Sequence, residues 1–124
     1  MTLLLAVALL GSACKSKEQG AREEFSETYT CPLDRVEVRA RPDVKKSDLA
    51  KREDPPPDIE ADPGRLQLWR SKRDEQRKRD DDGCEMFEAR GCGKQTLLCC
   101  SRPAKRQDRV NCFQHDYANG VTRW

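Results

Sequence analysis

Seven cysteines, Cys14, Cys31, Cys84, Cys92, Cys99, Cys100 and Cys112, are the residues of this chain whose type and spacing promise chemistry. Thiols this dense either ligate a metal or pair with one another. Structural zinc sites are built on closely spaced pairs such as Cys-x-x-Cys, as are thioredoxin-like redox centres. The spacings here are Cys84-x7-Cys92, Cys92-x6-Cys99 and Cys100-x11-Cys112, and none supplies that pair. The cysteines therefore read as a disulfide framework of an oxidising compartment, with no metal and no cofactor. Setting Cys14 aside leaves six, an even number, in Cys31, Cys84, Cys92, Cys99, Cys100 and Cys112. Cys99 and Cys100 are adjacent, so on a strand they face opposite ways and take different partners. A bond from Cys31 into the 84–112 cluster closes a long loop, worth roughly 3–4 kcal/mol in the chain-entropy model.

Other reactive residues are few. The single histidine, His115, stands beside Asp116. Neighbouring residues seldom orient one another for acid–base work, and no Gly-x-Ser-x-Gly elbow accompanies them. Asp80-Asp81-Asp82-Gly83 lacks the alternating spacing and closing Glu of a calcium loop and reads as a helix breaker. No Walker A loop, dinucleotide fingerprint or His-Glu-x-x-His helix is present. These absences point to a non-catalytic protein. One charge asymmetry remains. Arg65, Arg70, Lys72, Arg73, Arg77, Lys78 and Arg79 stand against only Asp74 and Glu75, with Trp69 among them. Such a stretch suits contact with anionic lipid, or else a solvated helix. Net charge over the whole chain is only +2, which exerts no strong pull on nucleic acid.

The N-terminus explains the odd cysteine. Leu3 to Leu10 is an unbroken apolar run, followed by Gly11, Ser12, Ala13 and Cys14, then Lys15. A span needs roughly 20 apolar residues, so this run reads as the core of an export signal over residues 1–13. Gly-Ser-Ala-Cys resembles the lipobox of bacterial lipoproteins, although Gly11 stands where that family usually has Leu and Met1-Thr2 supplies no cation. The resemblance implies cleavage before Cys14, a diacylglyceryl group on its thiol and an acyl chain on its amine. Several chains on one residue anchor stably where one does not. Lys15 in place of the inner-membrane retention Asp implies sorting to the outer membrane, facing periplasm or surface.

The elements that must position these residues are short. In 124 residues, 37% are charged and 35% hydrophobic, so the core is small and depends on covalent help. Residues 14–24 carry no apolar anchor and read as a flexible, lipid-anchored tether. Residues 25–124 then form one small domain. Arg35-Val36-Glu37-Val38-Arg39 alternates and suggests a strand over about 29–39. Residues 40–83 hold twelve basic and twelve acidic residues, a low-complexity polyampholyte inserted into the domain. Within it, Asp54-Pro55-Pro56-Pro57-Asp58 reads as an extended spacer. Asp62-Pro63 offers an N-cap and a first-turn proline for a charged helix over about 63–80. Strands over 84–90 and 94–101 flank Gly91-Cys92-Gly93 as a hairpin, and a further short strand falls near 109–115. The fold class is thus a small disulfide-rich α+β domain with a short antiparallel sheet and an inserted charged helix.

Tyr29, Cys31, Pro32, Arg35, Val36 and Val38, then Phe87, Glu88, Gly91, Cys92, Gly93 and Lys94, then Cys100, follow a pattern similar to small envelope domains of predatory and gliding bacteria, which have no assigned activity. The likeness covers about forty residues. The charged insertion and Cys84, Cys99 and Cys112 lie outside it. It implies a small β domain with a Cys31–Cys92 or Cys31–Cys100 bridge, and no chemistry. Taken together, these features predict a cell-envelope lipoprotein acting as a structural or protein-interaction module, with the membrane and another envelope protein or anionic lipid as partners. A small cysteine-rich surface inhibitor or effector is the alternative.

Overall fold

The computed structural model describes residues 14–106, 108–118 and 120–124, so the expected export signal over 1–13 lies outside the described residues. The elements are α1 (Lys17–Tyr29), a 3-10 turn (Leu33–Arg35), β1 (Glu37–Ala40), α2 (Lys46–Leu49), α3 (Pro57–Glu60), α4 (Pro63–Asp82), β2 (Glu85–Gly91), β3 (Lys94–Ser101) and β4 (Asn111–His115). The strands make one antiparallel sheet in the order β1-β2-β3-β4. Three disulfides, Cys31–Cys92, Cys84–Cys99 and Cys100–Cys112, staple it. This is the small disulfide-rich α+β fold the sequence predicts, with the charged helix in its insertion.

The period-2 alternation of strands divides the sheet into two apolar faces. Phe87, Ala89, Leu98 and Cys100 face α1, where Ala21 and Phe25 are buried against them. Met86, Leu97 and Cys99 face the other way and are covered by Val44 and Leu49 from the insertion and Tyr117 and Val121 from the last segment. Cys99 and Cys100 accordingly take different partners, one on each face. Cys100 and Cys112 are direct cross-strand partners with Cα atoms 4.1 Å apart, the close spacing of a non-hydrogen-bonded pair. Between β2 and β3 the chain turns in two residues, Cys92 at φ 49° and Gly93 at φ 74°. Positive φ at both positions matches the right-handed twist of a hairpin.

Three expectations are corrected. The flexible tether over 14–24 does not form, because the chain is helical from Lys17. Ser16 caps that helix by accepting from Gln19 N at 3.1 Å, and Ala21, Phe25 and Tyr29 recur one turn apart toward the sheet. Gly20 allows the approach: a Cβ there would lie 2.7 Å from Val110 Cγ1. For the same reason the strand expected over 29–39 shrinks to β1, since Tyr29 ends α1 and Leu33–Arg35 is a 3-10 turn. The polyproline spacer is also shorter than expected, with Pro57 opening α3 after Pro56.

Helix α4 follows its signals. Asp62 accepts from Gly64 N and Arg65 N, with Pro63 at the first position. It continues through Asp82 rather than breaking at Asp80, because Asp81 accepts from both the backbone N and Oγ of Ser47 at 2.9 Å. That bond ties the helix end to α2 and offsets the unfavourable acid at a helix C-terminus. No residue of α4 is buried, and about 30 Å of helix rests mainly on α2 and α3.

Candidate functional site

The residues at the N-terminal end of α1 form the first candidate site. Cys14 is exposed and is the free cysteine among the described residues. It is followed by Lys15 and Ser16 before the helix starts. The Lys15 carbonyl accepts from Arg102 Nη2, and the Lys15 ammonium pairs with Glu23. Lys17 Nζ lies 3.3 Å from Glu85 Oε2, and Cys112 Sγ lies 4.0 Å from the Lys17 carbonyl oxygen. The cysteine is thereby held at one pole of the sheet, beside the connection between β3 and β4.

The seven cations predicted as an anionic-surface contact all lie on α4 or its first turn, but the structure does not bring them to one face. At about 100° per residue, Arg65, Lys72 and Arg79 share one line. Arg70, Arg73 and Arg77 lie roughly 130° round from it, on the side of half-buried Leu66 and Trp69, and Lys78 is on neither. Several are already partnered. Arg65 pairs with Asp58 at 3.1 Å, Arg73 with Glu53, Arg77 with Asp74 at 3.9 Å and Arg79 with Glu75 at 4.0 Å. The Arg73 guanidinium also stacks on Trp69 with its carbon 5.1 Å from the ring centroid.

His115 is partly buried at the end of β4 and makes no dyad with Asp116. Burial lowers its pKa below 6.5, and the nearby Lys46 lowers it further against a weaker opposing pull from Asp116. Among the described residues no group of three or more His, Cys, Asp or Glu side chains is placed to hold a metal ion.

A constellation that sequence reasoning did not single out lies under the last segment. Glu88 is fully buried on β2. Its Oε2 accepts from Arg41 Nη1 and from the Tyr117 hydroxyl, each at 2.6 Å. Its Oε1 accepts from Trp124 N at 2.7 Å and Gln95 Nε2 at 2.9 Å. Arg41 is itself buried and also donates to Asp43 and to the Thr122 carbonyl. The hydrogen bond to Asp43 raises the Arg41 pKa despite desolvation, and the same bond lowers that of Asp43. Burial, followed by the hydrogen bond to Glu88, pushes the Tyr117 hydroxyl well above its ordinary range. Four donors occupy the acceptor sites of the Glu88 carboxylate, so both of its oxygens are fully matched inside the fold. The group latches Tyr117, Thr122 and Trp124 over the second face. The Trp124 ring completes the latch, with Arg90 4.0 Å and Arg39 4.8 Å from its centroid.

One sequence signal could have revealed this cover. Leu97-Leu98-Cys99-Cys100 is a continuous apolar run, the mark of a strand buried on both faces. A doubly covered sheet places Glu88 inside. Beside the latch an open cleft of about 1110 Å³ is lined by Val44, Leu49, Tyr117 and Val121, with Arg77 and Asp80 of α4 at its side. Its charges are mixed, and every buried side-chain polar atom described has a partner. No protein-family model, curated protein or solved structure matches this chain. No helix of the described residues is long and apolar enough to cross a membrane.

Proposed function

We propose that this chain is a non-catalytic cell-envelope lipoprotein, anchored through Cys14 and exposing a disulfide-knit α+β module for structural or protein-binding work. The single observation that carries the reading is the segregation of cysteines. Six pair within the fold and the seventh, exposed, follows an apolar run and Gly-Ser-Ala. An acyl chain on Cys14 disturbs no packing, because the residue is solvent-exposed and outside both cores. The absence of a retention Asp after it favours the outer membrane. The insertion, with α4 projecting from two short helices, supplies an arm for contact with another envelope protein.

Intact mass of the protein extracted from its native envelope tests the reading, with and without reduction and alkylation. A mass beginning at Cys14 plus acyl chains, with six further thiols alkylated only after reduction, is expected. An unacylated mass, or thiols that react without reductant beyond that of Cys14, refutes it.

A further inference from the structure

Six cations belong to the two segments that meet at the pole where Cys14 sits, the start of α1 and the β3–β4 connection. Lys15 and Lys17 are tied to Glu23 and Glu85. Arg102 holds the Lys15 carbonyl. Lys105, Arg106 and Arg109 are exposed on the β3–β4 connection and take part in no ion pair among the described residues. Over residues 102–110 four cations face one carboxylate, Asp108. Turns shape this connection, with Arg106 N donating to Pro103 O at 3.1 Å and Arg109 N to Arg106 O at 3.2 Å. Val110 then packs against α1, which fixes the connection to the helix that begins just after Cys14.

We infer that the β3–β4 connection, through its exposed Lys105, Arg106 and Arg109, docks on the phosphates of anionic phospholipid headgroups beside the anchoring cysteine, and that α4 is not the membrane contact. The inference rests on the reading of Cys14 as the acylated residue. Three Cα steps separate Cys14 from the first helical residue, about 11 Å when fully extended. Arg102 bonds the residue directly after Cys14, so the connection that carries the patch begins beside the acyl chains. The Debye length in physiological salt is about 8 Å, so a patch at this distance experiences the negative surface potential. The Arg102 bond and the packing of α1 on the sheet keep the chain just after Cys14 against this pole, so the acyl chains leave the domain on the side of the connection.

Flotation with phospholipid vesicles tests the patch apart from the anchor. The protein used is the chain from residue 14, which contains every described element and all three disulfides, carrying Cys14→Ser and oxidised. Each cation near a negative surface raises partitioning roughly fivefold. At low salt the protein should float with vesicles rich in phosphatidylglycerol and not with pure phosphatidylcholine. The variant Lys105→Gln/Arg106→Gln/Arg109→Gln should bind the anionic vesicles on the order of 100-fold more weakly. All three residues are exposed, and an unchanged melting temperature confirms that this variant is folded. The variant Arg65→Gln/Lys72→Gln/Arg79→Gln should bind like its parent. No preference for anionic vesicles, an unaffected loop variant, or loss confined to the helix variant overturns the inference. Acylation is read separately, by the mass of the wild-type protein, so a missing acyl chain refutes the anchor while the flotation result still decides the patch.

Discussion

Replacing Glu88 by Gln removes the charge at the centre of the second face and nothing of its size. In the native protein both oxygens are filled by four donors at 2.6–2.9 Å. An amide at that place turns one acceptor into a donor, aimed either at Arg41 and Tyr117 or at Trp124 N and Gln95. Breaking a buried ion pair by removing one partner costs about 3–5 kcal/mol. Arg41 keeps Asp43 as a second partner, with Nη2 2.9 Å from Oδ2, but that carboxylate is 63% exposed and screened. The expected cost is therefore at the lower end, about 3 kcal/mol. At roughly 4 °C per kcal/mol for a domain of this size, the melting temperature should fall by about 12 °C. Glu37→Gln supplies the control. Glu37 pairs with Arg90 at 2.8 Å with both side chains exposed, and such pairs contribute under about 1 kcal/mol. Thermal unfolding followed by circular dichroism, disulfides intact, compares the two. A Glu88→Gln shift no larger than that of Glu37→Gln refutes the view that this carboxylate latches the fold. Hydrogen exchange should further show the Val121 and Trp124 amides losing protection in Glu88→Gln, while β2 and β3 keep theirs.

Other consequences follow from individual contacts. Gly20→Ala gains about 1 kcal/mol of helix propensity but drives a Cβ to 2.7 Å from Val110 Cγ1. Overpacking at about 1–3 kcal/mol should win, so urea midpoints should fall, and Gly20→Ala/Val110→Ala should be less destabilised than the two single changes summed. Burial and Lys46 hold the His115 pKa below its unfolded value of 6.5. The unfolded chain therefore binds the proton more readily, and the stability contributed by neutral His115 is complete above pH 6.5 and declines as pH falls below it. Melting temperature measured from pH 7.5 to 5 should drop less in His115→Gln than in the parent, and parallel curves would contradict the assignment. Limited trypsin should cut α4, which buries no residue. The pieces should migrate as one species until reduction, because Cys31–Cys92 joins the two halves across 61 residues, and separation before reduction contradicts that bridge.

Local signals in the sequence were legible where short-range physics is sufficient. Asp62-Pro63 marked the start of α4, and Gly91-Cys92-Gly93 marked the hairpin, because capping and positive φ are demands made within a few residues. Helix α1 was legible in principle from Ala21, Phe25 and Tyr29 at one-turn spacing. It was obscured because the polar residues around them resemble a tether, and the face they present acquires meaning only with a sheet beneath it. The basic stretch of α4 stood out by composition, yet helical geometry spreads its cations round the axis and nearby carboxylates pair four of them.

By itself the amino-acid sequence determined the covalent and local part of this protein. It contains six cysteines that pair and one that does not, a two-residue hairpin, a capped helix, and too few apolar residues for stability without crosslinks. Tertiary structure alone decided which charged residues matter. Arg41 meets Glu88 across 47 residues, Trp124 meets it across 36, and Arg102 meets Lys15 across 87. No spacing rule reaches that far, because such contacts follow from how the sheet's two faces are covered. The physical reason is desolvation. Burying a carboxylate is tolerable only where every lone pair is matched, and those matches come from segments that the folded chain, not its order, makes neighbours.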